Sequence, residues 1–363
     1  MSWPLRDVMG NRLLVSLSRN SMVKVWVLVS LLFFSAFRKP HAESLGEWRL
    51  TRDSEAIVPD AKLRGQIFRA LDAAEKAGTG PTISHFKVRA ATVVEKDAHE
   101  HLVLGGNTEY DLPEAIHGET SLLNHVSAEF GADATRRDVR FIAFYGERCG
   151  GAGSCGDCRD YQLASTDWEH LLVACGQSSD HTVKVTRFSD QIVCERNFPE
   201  VKAEKIALRP EDLEKLVKSA QEARLGGVTL FTKDRHTGAA GLSYSGKIYR
   251  AAGADDAAFH YRYPIGGLLQ QAATERDYFL RAIVVSGEQG QWPVVSYRDR
   301  QYGYEASSFN HDAGKPPVQL ILTNGQGEYR ITTFEASLPH AFSAADFMPE
   351  AVKQFIQTHR GDR

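Results

Sequence analysis

Along the chain, apolar positions recur first with helical and then with strand spacing. Residues 61–76 place Leu63, Ile67, Phe68, Leu71 and Ala74 on one helical face, and Gly78 follows as a stop. Phe86, Val88 and Ala90 then alternate with Lys87 and Arg89, the period-two pattern of a half-buried strand. A second short strand is expected over 101–104, closed by Gly105 and Gly106. Residues 116–126 read as a buried helix and 139–145 as a strand; a helix should begin near Cys155, and a strand should run over 171–174. Pro210, with Glu211 and Asp212 beside it, marks another helix start, because proline suits the first turn and acids favour its positive end. Strands alternating with helices in this way imply an α/β layer structure.

A repeat runs through this pattern. Residues 140–147, Arg-Phe-Ile-Ala-Phe-Tyr-Gly-Glu, recur at 281–288 as Arg-Ala-Ile-Val-Val-Ser-Gly-Glu, and the same offset carries Arg159 onto Arg300 and Tyr161 onto Tyr302. A slightly different offset matches Leu122-Leu123 to Leu268-Leu269, so the second copy should begin near Gly226 and close near Phe342. The expected organisation is an apolar N-terminal segment over 1–42, a polar linker over 43–60, a first domain over 61–224, a second copy over 225–350 and a C-terminal tail over 351–363.

Composition narrows the partners. At 363 residues the chain has room for two domains with their own cores, and 42% hydrophobic with 25% charged residues excludes a disordered or fibrous chain. A net charge of −3 without a lysine- or arginine-rich run argues against nucleic acid as the main partner and for a small, nucleoside-sized substrate. Residues 25–37 form an apolar run between Lys24 and Arg38-Lys39 that is short for a membrane span and of signal-peptide length. The flank over 38–42 is a poor small-residue cleavage site. A cytoplasmic protein is therefore expected, with export or anchoring through this run as the alternative and membrane contact only through 22–39.

All five cysteines, Cys149, Cys155, Cys158, Cys175 and Cys194, fall within one stretch. Clustering around a Cys-x-x-Cys points to thiolates kept reduced for a metal rather than to a disulfide scaffold, with redox use of the pair left open. Upstream stands His117-Gly118-Glu119. One imidazole and two thiolates make a three-ligand zinc set whose fourth tetrahedral position stays open, as in catalytic zinc sites. His-x-Glu followed by Cys-x-x-Cys is the arrangement of zinc deaminases. Both ligand groups are expected at helix starts, where the dipole favours thiolate, and Glu119 is expected to carry protons beside the open position. Alone, the Cys-x-x-Cys would suit a structural zinc equally, and His117 a hydrogen-bonded structural residue.

Two further segments extend the pattern. Ser84-His85-Phe86-Lys87-Val88-Arg89-Ala90-Ala91 resembles the Ser-x-Phe-x-Val-x-Ala-Ala strand of cytidine deaminases, and Gly106-Asn107-Thr108-Glu109 resembles their Asn-x-Glu segment. The similarity runs over roughly 61–345. With its degenerate rear half the chain resembles the tandem-domain, dimeric members, whose rear domain Gly246-Lys247-Ile248-Tyr249 and Leu338-Pro339-His340-Ala341-Phe342 also resemble. The resemblance implies two three-layer α/β/α domains, each a mixed sheet flanked by helices. It implies a homodimer and Zn2+-dependent conversion of cytidine or deoxycytidine to the uridine form. By position, His117, Cys155 and Cys158 would hold zinc and Glu119 would be catalytic. Asn107 and Glu109 would hold the sugar, and Phe86 would pack on the pyrimidine. Read from their own surroundings, Asn107 serves equally as a turn residue and Phe86 as core.

Departures from the family leave the substrate more open than the reaction. Ser154 stands where the family usually has proline before the first cysteine, and Arg89 replaces a small residue on the substrate-side strand, where it would re-polarise the pocket or point to solvent. Cys149 and the glycines after it form a loose insert, with Cys149 either a spare thiol near the metal or a passive loop residue. A modified nucleoside or aminonucleoside substrate, or a non-catalytic binding module held by zinc, are the alternatives. In the rear copy the offsets set Tyr263 against His117, Ile265 against Glu119, Ser296 against Cys155 and Asp299 against Cys158, so that half cannot build the same metal site. Its expected use is structural.

Overall fold

The computed structural model describes residues 48–82, 86–109, 115–146, 153–177, 180–193, 208–230, 236–255 and 261–359, all within one compact unit. Six strands make the first sheet: β1 (Arg49–Leu50), β2 (Val88–Lys96), β3 (His99–Gly106), β6 (Phe141–Gly146), β7 (Leu172–Gln177) and β8 (Thr182–Arg187), in the order β1-β8-β7-β6-β2-β3. Pairing is parallel for β6 with β7 and antiparallel for β2 with β3, β2 with β6 and β7 with β8, so the sheet is mixed.

Both faces of this sheet are covered. Ala90 and Val94 of β2 meet Leu122, Leu123 and Val126 of the helix Gly118–Phe130. Ala91 and Val93, pointing the other way, meet Ile67, Leu71 and Ala74 of the helix Ala61–Lys76. The strand is thus buried on both sides, whereas its alternation predicts one wet face; Ala90 through Val94 are all buried. Each leucine-sized side chain buried this way contributes about 1.5–3 kcal/mol relative to exposure.

A second sheet is built from β9 (Gly238–Ser243), β10 (Ile248–Ala252), β13 (Leu280–Ser286), β14 (Gln319–Thr323) and β15 (Tyr329–Thr333), in the order β10-β9-β13-β14-β15. Its order and pairing senses repeat those of β3-β2-β6-β7-β8, with the parallel pair again in the same place. The helices Pro210–Leu225 and Pro264–Thr274 cover its two faces, as Ala61–Lys76 and Gly118–Phe130 cover the first.

Several expectations are corrected. The 43–60 linker is structured from Trp48 onward: β1 extends the first sheet beside β8, and Ser54 of the helix Arg52–Ile57 exchanges hydrogen bonds with Val185. Trp48 and Val58 are buried, so this segment closes the sheet's edge and core. The 351–363 tail begins as helix Pro349–His359, whose Val352 and Ile356 pack on Phe279 and Ala313. Gly105 and Gly106 are the last two residues of β3 rather than a turn after it, and a Cβ on Gly105 would overlap the Leu122 amide nitrogen and the Gly118 carbonyl. That glycine lets the helix carrying Glu119 lie directly on the sheet. Ile116 is exposed in a short strand, β5 (Ala115–Ile116), paired with β4 (Thr108–Glu109), and the helix begins two residues later. Among the described residues no helix is long and apolar enough to cross a membrane; the 22–39 segment lies outside them.

Candidate metal centre

His117 leaves β5 in an extended conformation and caps the helix Gly118–Phe130, and Cys155 in the same way caps the helix Gly156–Ser165. Two helix N-termini, each with unpaired N–H groups and a partial positive charge, therefore bracket the same small volume. The Cys158 amide donates to Cys155 Sγ at 3.5 Å, which folds the second cysteine back over the first. Nδ1 of His117 lies 3.1 Å from Cys155 Sγ and 3.4 Å from Cys158 Sγ. All three ligand atoms fall within 4.8 Å of one another, the one such group of three or more metal-ligating side chains among the described residues.

The donor set fits a metal. Bond lengths of about 2.0–2.3 Å around a tetrahedral zinc would space its ligand atoms roughly 3.5 Å apart, close to the two separations found. Two sulfurs with one imidazole suit zinc better than a hard cation. The three groups hydrogen-bond one another and so shift one another's titration. The hydrogen bond to Cys155 pushes the His117 imidazolium up to about 9. Hydrogen bonding from Cys158 and His117 holds the Cys155 thiol well below its ordinary value, and the same pairing pushes Cys158 well above.

Glu119 sits in the first turn of its helix and is 6% exposed. Burial pushes its carboxyl above the ordinary range, the Cys155 charge adds to that, and His117 opposes it. A carboxyl so raised holds its proton more readily than an exposed one, which suits a group that accepts and returns protons.

The remaining predicted residues are not part of the His117, Cys155 and Cys158 group. Asn107 is buried, its Oδ1 accepting from the Val88 amide at 2.9 Å and its Nδ2 donating to the Phe86 carbonyl at 2.7 Å. It clamps the entry to β2, leaving one lone pair and one N–H for a ligand. Phe86 is half-buried. Glu109 lies in β4 opposite Ala115, so the Asn-Thr-Glu segment is tied by backbone pairing to the strand that delivers His117. Arg89 takes neither expected course: on the sheet face away from the metal centre, it donates to the Glu75 carbonyl at 2.8 Å and stacks over Tyr145 at 5.6 Å. Cys149 lies outside the described residues. Cys155 and Cys158 are free thiols, but Cys175 is disulfide-bonded, which limits the reduced-cysteine reading to the metal pair.

The rear half shows how the same frame closes without a metal. Tyr263 caps the helix Pro264–Thr274 where His117 caps its own, and Ser296 caps the helix Tyr297–Asp312 by accepting from the Asp299 amide, as Cys155 does from Cys158. The Asp299 carboxylate accepts from the Gly266 amide at 3.1 Å, so a hydrogen bond joins the two helix starts that a metal would join in front.

Sequence reasoning missed Arg159 as part of the centre. It is fully buried behind the cysteines, donating to Ser154 O at 2.7 Å and Gln191 O at 3.0 Å. Ser154, in place of a proline, belongs to the same network through Gln162, which donates to its hydroxyl at 3.0 Å. The repeat, which aligns Arg159 with Arg300, was the signal available.

No family model and no curated protein matches the chain. Among solved structures, a cytidine deaminase from Burkholderia pseudomallei is 25% identical over 36% of this chain and 98% of its own, with a TM-score of 0.31. Cytidine deaminases from Mycobacterium leprae and Mycobacterium tuberculosis are 19% and 22% identical, each over 36% of this chain and over 97% and 94% of their own, both with TM-scores of 0.26. These are partial likenesses.

Proposed function

We propose that the chain is a zinc-dependent hydrolytic deaminase of cytosine nucleosides, converting cytidine or deoxycytidine to uridine or deoxyuridine with release of ammonia. One observation carries this reading: the imidazole of His117 and the thiols of Cys155 and Cys158 converge, with the buried carboxyl of Glu119 in the same helix turn. Zinc held by those three side chains supplies the Lewis acidity that makes water nucleophilic at neutral pH.

The chain's own groups then account for the proton traffic. Glu119 removes a proton from the attacking water and delivers it to the ring nitrogen next to the reacting carbon, then takes the second proton from the newly attached hydroxyl and passes it to the departing amine. The carbon–nitrogen bond to the amine breaks as the new carbon–oxygen bond becomes a carbonyl. One water is consumed for each ammonia released. Asn107 and Glu109 are assigned to the sugar hydroxyls and Phe86 to the pyrimidine face. Polar groups built to meet hydroxyls disfavour analogues that lack them. The rear half is read as a metal-less copy with a structural role, the assembly as a homodimer and the site of action as the cytoplasm.

The test is a panel of cytosine nucleosides and base analogues against the full chain and Glu119→Gln. The expected result is loss of cytidine absorbance with equimolar ammonia, reduced at least about a hundredfold in the variant while zinc is retained. No turnover across the panel removes the assignment.

A further inference from the structure

The segment that supplies both sulfur ligands makes a run of contacts with the other half of the molecule. Before it, the Gly153 amide donates to the His340 carbonyl at 2.9 Å. At its start, Gly156 lies so close to the rear helix that a Cβ would overlap the Tyr297 carbonyl and stand 2.8 Å from Gln301 Cβ. Between the cysteines, Asp157 pairs with the Arg298 guanidinium. After them, the two carboxylate oxygens of Asp160 accept from the Tyr297 and Arg298 amides at 3.1 and 3.0 Å, filling orphan donors at the N-terminus of the rear helix. The Arg298 guanidinium in turn stacks over Tyr263 at 5.3 Å, and Tyr263 is the residue that stands in the rear half where His117 stands in front.

We infer that the rear half is part of the metal centre, its own lost ligand position having become the seat of Arg298, which holds Asp157 and so sets the spacing of Cys155 and Cys158. Arg298 is a positioning residue: it reaches no ligand atom and acts through the loop that bears them. Groups that orient metal ligands from one step away typically matter about ten- to a hundredfold in metal affinity. A rigid two-cysteine turn also keeps its ligands together while the metal is absent, so the effect should fall on metal release as well as on binding.

This inference rests on the zinc reading above, and its test separates the two. The full chain is loaded with zinc and challenged with a chelating dye, and the release rate is followed well below the melting temperature. Arg298→Gln and Asp157→Asn should each speed release roughly tenfold, the double variant should be no faster than the faster single one, and Arg298→Lys should recover part of the loss. Should Arg298→Gln fail to fold, Asp157→Asn, with a solvent-accessible carboxylate, gives the same readout. Wild-type chain that binds zinc but releases it at the same rate in both single variants overturns the inference alone, as does simple additivity in the double variant. Wild-type chain that binds no zinc removes both.

Discussion

Arg159 and Arg300 make the same hydrogen bond, one in each half: the Nε of each donates to a carbonyl five residues upstream, Ser154 at 2.7 Å and Val295 at 3.0 Å. Both are almost completely buried, and their second donors converge on neighbouring carbonyls of one strand of chain, Gln191 for Arg159 and Val193 for Arg300. One connecting segment is thereby pinned by both halves. Replacing Arg159 with leucine removes the donor from two carbonyls and replacing Arg300 removes it from three, Ser337 being the third, which should cost about 2–4 kcal/mol in each case. Urea unfolding of Arg159→Leu and Arg300→Leu checks this, and similar losses are expected because the architecture, not the metal, requires the charge. Loss confined to Arg159→Leu would show that its main role is toward the thiolates.

Gly105 is the second structural test. Because a side chain there would overlap the backbone of the helix carrying Glu119, Gly105→Ala should destabilise the protein by about 2 kcal/mol or more and weaken zinc retention together. Gly78→Ala, with nothing within 4 Å of the added carbon, should leave zinc retention unchanged.

Glu305 predicts a pH dependence away from the metal. Burial pushes its carboxyl above 4.5, while the Ala344 amide, donating at 2.9 Å, pulls the other way. The folded state therefore holds this proton more tightly than the unfolded state. Its contribution is full below the unfolded value and is lost as pH rises through the raised folded value. Glu305→Gln keeps the acceptor and removes the titration, so its stability should fall less steeply than wild type from pH 4.5 upward. Parallel stability curves would contradict this.

Metal binding should release protons. With His117 pushed up to about 9 and the Cys158 thiol pushed well above its ordinary value, zinc must displace protons from both at pH 7. Affinity should accordingly rise with pH, more steeply below about 9, where His117 still carries its proton, and calorimetry in buffers of different ionisation enthalpy counts the protons. Proton-free binding would place the metal elsewhere.

The layer order and the convergence of His117, Cys155 and Cys158 are legible in the sequence because each rests on local signals. Helical and strand periods gave the elements, and His-x-Glu with Cys-x-x-Cys named the residues that meet. The repeat also set the right equivalences, since Tyr263 and Ser296 cap helices just where His117 and Cys155 do. What stayed hidden depends on contacts between distant segments. The 43–60 stretch looks polar but supplies an edge strand and the buried Trp48. Gly105 resembles a strand end until a helix is laid against it. Arg89 turned away from the metal centre because its length reaches a helix C-terminus, where a cation is favoured. The grip of Arg298 on Asp157 joins residues that no local pattern relates.

The most direct test of the account is the zinc X-ray absorption spectrum of the purified full chain. The account predicts two sulfurs at about 2.3 Å and the remaining shell of nitrogen and oxygen at about 2.0–2.1 Å, with the sulfur signal lost in Cys158→Ser combined with Cys155→Ser. A four-sulfur shell, a shell without sulfur, or a folded protein that takes up no zinc would contradict it.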